Sequence, residues 1–138
     1  MSDFPWIAKY PKGVPAMIDP DRVANIPALL DGIAQKHPDA PAFTNMGVTL
    51  TTQHAQSLSC DLAAYLQSLP DMQKGDRVAI MMPNLLQYPV ALFGILRAGF
   101  IVVNVNPLYT ARELEHQLKD SGAKAIIIIE NFAKTLER

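Results

Sequence analysis

The sequence predicts an α/β fold built on a partial parallel sheet, with a small β-hairpin and an extended arm before it. Three observations lead there. From Arg77 onward the pattern alternates strand, helix, strand, helix, strand, helix, which calls for right-handed βαβ crossovers. The strand runs VAIMM, FIVVN and AIIII are continuous rather than alternating, as in strands buried on both faces. Turn and cap residues fall between these runs at the right places, beginning with Lys74-Gly75-Asp76.

In chain order, residues 1–24 carry Pro5, Pro11, Pro15 and Pro20 with little periodicity and form an extended arm. Trp6, Ile7 and Tyr10 are apolar anchors within it and are expected to dock on a folded body, either their own or a neighbouring subunit's. Residues 25–138 form an incomplete α/β unit. Asn25 caps a helix through Lys36, with Ile26, Leu29, Leu30 and Ile33 on one face, and Pro38 and Pro41 close it. Ala42–Asn45 and Val48–Thr51 pair around Met46-Gly47 as a hairpin. Thr51 caps a second helix through Ser68, with Ala55, Leu58, Leu62, Leu66 and Leu69 as its apolar stripe and Cys60 on the opposite side.

Gly75 supplies positive φ before a strand at Arg77–Met81. The helix Leu85–Ala98 is apolar on nearly every face, so it needs cover on most sides. Phe100–Asn104 is the next strand. Thr110 and Glu113 form a capping box, Glu115 and Lys119 an i,i+4 pair, and Gly122 the C′ residue of the following helix. Ala125–Ile129 is a strand and Asn131–Arg138 starts a helix. Three or four strands with these few helices leave apolar surface on Leu85–Leu96 and Ile126–Ile129 uncovered.

Composition narrows function. The 138 residues are 49% hydrophobic with a formal net charge of −1, so neither nucleic acid nor an anionic membrane surface is indicated as a partner. One cysteine excludes an internal disulfide and suits a cytosolic setting. His37, His54, His116 and Cys60 lack zinc-ligand spacing. The apolar window Val78–Val103 is long enough to span a bilayer, but Pro83, Asn84 and Gly99 divide it into strand, helix and strand.

No motif carries chemistry outright. Gly94 and Gly99 have the separation of a Walker loop, yet Phe100 and Ile101 follow where Lys and a hydroxyl residue are needed. GxGxxG, GxSxG and HExxH patterns are absent. Asp19 and Asp21 lie in the arm as solvated carboxylates. Cys60 has no base recognisable beside it, which marks a partly exposed or secondarily packed thiol rather than a nucleophile. In open parallel sheets ligands sit beyond the carboxyl ends of the strands. Met82-Pro83-Asn84 and Asn104-Val105-Asn106-Pro107-Leu108-Tyr109 occupy that position, either to contact a ligand or to cap and terminate elements.

Residues 74–133, KGDRVAIMMPNLLQYPVALFGILRAGFIVVNVNPLYTARELEHQLKDSGAKAIIIIENFA, closely resemble a segment of bacterial long-chain fatty acid–CoA ligases of the adenylate-forming superfamily. KYPKGVPAMIDPDR and PAFTNMG extend the resemblance over nearly the whole chain. LTTQHAQSLS, residues 50–59, departs from it: the family usually has an aromatic residue at Thr52 and Glu at or beside His54. The resemblance implies the first part of the large amino-terminal domain of an enzyme that joins fatty acid to ATP and then transfers the acyl group to CoA. It implies Mg²⁺, a Thr/Ser/Gly-rich phosphate loop with a Lys, and a mobile carboxy-terminal domain bearing a catalytic Lys. Those motifs lie beyond residue 138 in the family, so no catalytic or metal-binding residue is assigned here, and cofactor contacts stay unassigned. On this reading the chain alone binds no cofactor and is inactive. The implied parent is cytoplasmic or peripheral at the inner face of the cell membrane. Its partners are its substrates, the remainder of the same enzyme and a second copy. The alternatives are a stand-alone α/β ligand-binding or interaction module and a regulatory truncation product.

Overall fold

In the computed structural model, which describes residues 4–137, each local signal resolves into an element. Asn25 Oδ1 accepts from the Ala28 N–H at 2.9 Å and opens helix α1, Ile26–Lys36. Strands β1 (Pro41–Asn45) and β2 (Val48–Thr51) form an antiparallel hairpin. Met46 at φ 48° and Gly47 at φ 81° make its two-residue turn, the twist a tight hairpin requires. Thr51 Oγ1 accepts from the His54 N–H at 3.2 Å and starts α2, Thr52–Ser68.

A parallel sheet follows, made of β3 (Arg77–Met81), β4 (Ile101–Val105) and β5 (Ala123–Ile128) in the order β4-β3-β5. The crossovers are α3 (Gln87–Arg97) and α4 (Ala111–Ser121), and α5 (Glu130–Leu136) follows β5. Helices α2 and α3 cover one face through Ala63, Leu66, Ala91 and Ile95 against Val78 and Ile80. Helices α4 and α5 cover the other through Leu114, Leu118 and Phe132 against Ala79 and Met81.

The window Val78–Val103 is therefore strand, helix and strand, as its breakers predict. Among the described residues no helix is long and apolar enough to cross a membrane. Helix α3 begins two residues later than expected, because the Leu85 N–H bonds to the Pro83 carbonyl and the Tyr88 N–H to the Leu85 carbonyl in tighter turns. It ends in a Schellman motif: Gly99 takes φ 86°, its N–H reaches the Leu96 carbonyl, and the Phe100 N–H reaches Ile95. Phe100 thus belongs to the cap, which moves the start of β4 to Ile101.

Two packing expectations need correction. The buried line of α2 is Thr52, Ala55, Ser59, Ala63 and Leu66, and Leu58 is exposed. Small residues replace it on the face toward α3, where Leu62 lies so close to Gly94 that a Cβ there would sit 2.8 Å from Leu62 Cδ2. Nor are all three strands buried on both faces. That holds for Val78–Met81 of β3, whereas Ile101 of β4 is exposed and Ile126–Ile128 of β5 are partly so, since both strands are edges. The predicted incomplete cover is present: Leu86, Val90, Leu92, Phe93 and Leu96 of the α3 region are only partly buried. The arm does not dock firmly within the chain. Trp6 stacks on Phe4 with ring centroids 4.8 Å apart but remains 53% exposed, and Tyr10 is also exposed.

Candidate functional site

The parallel register pairs Met81 with Val105, so the loops after β3 and β4 leave the sheet at one edge. This brings together the two segments singled out in the sequence. Several of their polar groups are held by neighbouring elements of the chain. Tyr88, in the first turn of α3, donates its hydroxyl to Asn104 Oδ1 at 2.8 Å. The Asn104 carbonyl accepts from Gln117 Nε2 of α4 at 2.8 Å. Asn106 Oδ1 accepts from the Leu108 N–H at 3.0 Å, an Asx turn that bends the chain toward α4. The Asn84 carbonyl accepts from Asn45 Nδ2 at 3.2 Å, which ties the hairpin to the loop after β3.

Helix α4 starts at this edge with a complete capping box. The Thr110 N–H donates to Glu113 Oε2 at 2.8 Å, and the Glu113 N–H donates to Thr110 Oγ1 at 3.4 Å. The Thr110 backbone N–H, with help from its hydroxyl, holds the Glu113 carboxyl below its ordinary range. Beside it Tyr109, Arg112, His116, Gln117 and Asp120 border a shallow hollow of about 710 Å³. Gln117 Oε1 is buried there with no hydrogen-bond partner. Tyr109 packs its ring onto the Ala79–Met81 side of the sheet. The cap-and-stop role thus accounts for Asn106 and Thr110, while Asn104 serves as a strut between α3 and α4.

The remaining candidates are dispersed. Asp19 Oδ1 caps a short 3-10 turn by accepting from the Asp21 N–H at 3.1 Å. His37 ends α1, His54 opens α2 and His116 lies on α4. Cys60 is half-buried, and its sulfur lies 3.7 Å from Gln56 Nε2. The sequence reading missed the pair formed by Arg97 and Asp31. The guanidinium donates to both carboxylate oxygens, at 2.6 and 3.0 Å, and its Nε lies 3.3 Å from Ser59 Oγ. The bond to Arg97 holds the Asp31 carboxyl below its ordinary range and raises the guanidinium in turn. A lone Arg on an otherwise apolar helix was the available signal, but its partner is 66 residues away.

The two glycines at Walker-loop separation have structural roles. Gly94 is packed against Leu62, and Gly99 terminates α3 with Lys74 Cγ 3.2 Å from where its Cβ would be, so neither opens a phosphate cradle. Among the described residues no three His, Cys, Asp or Glu side chains converge in a metal-ligand group. No chemical step is therefore assigned through ATP phosphates or Mg²⁺.

Comparison with known proteins places this geometry. The chain is 60% identical over 133 residues to a long-chain-fatty-acid–CoA ligase of Yersinia pestis, a match covering 96% of this chain and 24% of that protein. The chain thus spans about a quarter of the length of the curated relatives it matches. It superposes on a Mycobacterium tuberculosis fatty acyl CoA synthetase with TM-score 0.76 and 30% identity, covering 82% of this chain and 23% of that one. It also matches the N-terminal domain of FACL13 from Mycobacterium tuberculosis, with TM-score 0.77 and 29% identity over 83% of this chain and 30% of that one. The family model for AMP-binding enzymes matches residues 30–138, so the chain belongs to the AMP-binding enzyme family.

Proposed function

We propose that this chain serves as the amino-terminal portion of a long-chain fatty acid–CoA ligase, whose parent converts fatty acid, ATP and CoA to acyl-CoA, AMP and pyrophosphate through an acyl-adenylate. Sixty per cent identity to such a ligase across 96% of the chain carries the reading. Mg²⁺ would neutralise phosphate charge in the parent and is held by residues outside this chain. Residues 1–24 are the arm and residues 25–138 an incomplete part of the large domain.

The contribution of this chain is architectural. It fixes the carboxyl edge of the sheet through the Tyr88–Asn104–Gln117 hydrogen bonds and anchors α1 to α3 through Asp31 and Arg97. Adenylation depends on oriented donors around the developing charge, and a scaffold that holds loop geometry is a precondition for that.

The test is fatty-acid-dependent ATP–pyrophosphate exchange on two proteins. One is the chain alone. The other is the Yersinia pestis ligase with its matching segment replaced by this chain. Exchange by the graft and none by the chain alone is the expected result. Turnover by the chain alone would overturn the scaffold role. A folded but inactive graft would favour a stand-alone module.

A further inference from the structure

The apolar face of α1 is only half used inside the chain. Leu30 and Ala34 are buried, whereas Leu29 and Ile33, one turn apart on the same helix, remain 50% and 42% exposed. They do not stand on a flat surface. Together with Leu30, Phe43 of β1 and Phe93 of α3 they border a groove of about 340 Å³. Thr52 of α2 is also in its wall, but its hydroxyl is already engaged with the His37 and Pro38 carbonyls. Apart from Thr52 and His37 the lining is apolar. Size and lining both match small-molecule sites, which run to about 300–1,000 Å³ and are mostly hydrophobic with a few polar groups.

A second hollow shares one wall with the first, since Leu29, Ile33 and His37 border both. This one is basic. Arg22, at the end of the short turn before α1, and Lys36, in the last turn of α1, lie on its rim, and no carboxylate does. Among the described residues neither cation is in an ion pair. An apolar groove joined to a basic hollow selects a molecule with a hydrocarbon tail and an anionic head. A neutral hydrocarbon would leave the cations without a partner, and a small anion would leave the groove empty. A strand of polypeptide would bring backbone N–H and C=O groups that this lining cannot pair.

We propose that the α1 groove is a binding site for an alkyl carboxylate, with the tail against Leu29, Ile33, Phe43 and Phe93 and the carboxylate at Arg22 and Lys36. The site uses none of the residues at the carboxyl edge of the sheet. It does not depend on the ligase reading, because every group in it belongs to this chain.

Titration of the methyl-labelled chain with decanoate, kept below its micellar concentration and followed by NMR, tests this. The expected result is saturable binding of one decanoate per chain, with the Leu29 and Ile33 methyl signals moving together. Decanoate should bind roughly tenfold tighter than octanoate, as two further CH₂ groups enter the groove. Decanol, with the same tail and no charge, should bind more weakly than decanoate. The double variant Arg22→Gln, Lys36→Gln should weaken decanoate by up to roughly fivefold for each charge removed and leave decanol unchanged. Ile33→Glu, at an exposed position, should abolish decanoate binding with an unchanged circular dichroism spectrum; if that variant does not fold, the double variant measured with both ligands decides. No saturable shift at Leu29 and Ile33 overturns the proposal, as does equal affinity for decanoate and decanol or full decanoate binding by folded Ile33→Glu. Shifts that appear with phosphatidylglycerol vesicles and not with free decanoate would mean a membrane-docking face, and also overturn it. In the grafted ligase the Ile33 signal must respond to decanoate as well; a silent signal there means that parent polypeptide covers the groove, and removes the site.

Discussion

Gly94 is where the packing of α2 on α3 is most sharply testable. A Cβ built at this position would lie 2.8 Å from Leu62 Cδ2, 2.9 Å from Cγ and 3.0 Å from Cβ. The first contact could be relieved by a rotamer change, but the last involves the root of the side chain, so the helices themselves must separate. An exposed helical Gly→Ala change stabilises by about 1 kcal/mol through helix propensity. Overpacking of a fitted interface costs about 1–3 kcal/mol. The steric cost exceeds the propensity gain, and Gly94→Ala should destabilise by about 1 kcal/mol net, a loss of a few degrees in Tm. Gly32 of α1 supplies the control, since a Cβ there meets nothing within 4 Å. Gly32→Ala should stabilise by about 1 kcal/mol. Leu62→Ala removes the two nearest atoms, so the cost of Gly94→Ala should shrink in that background, with a coupling of about 0.5–3 kcal/mol. Urea denaturation of the four single and double variants measures all of this. Stabilisation by Gly94→Ala equal to that of Gly32→Ala would falsify the close approach.

Other expectations follow from individual contacts. Asp31 is held below its ordinary pKa in the fold, so its contribution is present above the unfolded value and lost as pH falls through the folded one. Arg97→Met should therefore flatten the acid limb of stability against pH and cost about 0.2–1 kcal/mol near neutrality, because Asp31 is partly solvated; an unchanged acid limb counts against the pair. Thr110→Ala removes the cap of α4 and should cost about 1 kcal/mol in chemical denaturation, with no loss if the box is not formed in solution. Trp6 is the only tryptophan and is half exposed, so its emission should be red-shifted and readily quenched in the chain alone; a blue-shifted, protected signal would mean that the arm docks after all.

The fold was legible where one residue settles one geometry. Asn25, Thr51, Thr110 and Gly122 each mark a helix end that the structure keeps, because capping depends on a side chain and on backbone atoms within a few residues. The strands were legible in position and direction for a similar reason: the alternation of runs implies crossovers. Burial was less so. Leu58 and Ser59 are adjacent, and only the proximity of α3 decides that Ser59 is inside and Leu58 outside. The edge positions of β4 and β5 depend on strand order, which continuous aliphatic runs do not encode. At the candidate site, Asn106 and Thr110 were readable as turn and cap residues. The Tyr88–Asn104 bond was not, since its partners lie 16 residues apart on different elements.

The same separation of local from tertiary information bears on where chemistry can arise in this fold. At the carboxyl edge of the sheet, the position favoured for ligands in open α/β sheets, the Asn84 and Asn104 carbonyls and the Asn104 and Asn106 Oδ1 atoms each accept a hydrogen bond from within the chain. Gln117 Oε1 beside them is a buried acceptor with no donor among the described residues. Leaving such a group unpaired costs about 1–3 kcal/mol, which offsets much of the gain from the bond that the same side chain makes to the Asn104 carbonyl. The Nε2 of the same amide is fixed on the Asn104 carbonyl, and flipping the amide would set two oxygens against each other. The orphan oxygen thus has a fixed direction. It is shielded from solvent, so the strut from α4 to Asn104 is held at the expense of one unpaired acceptor.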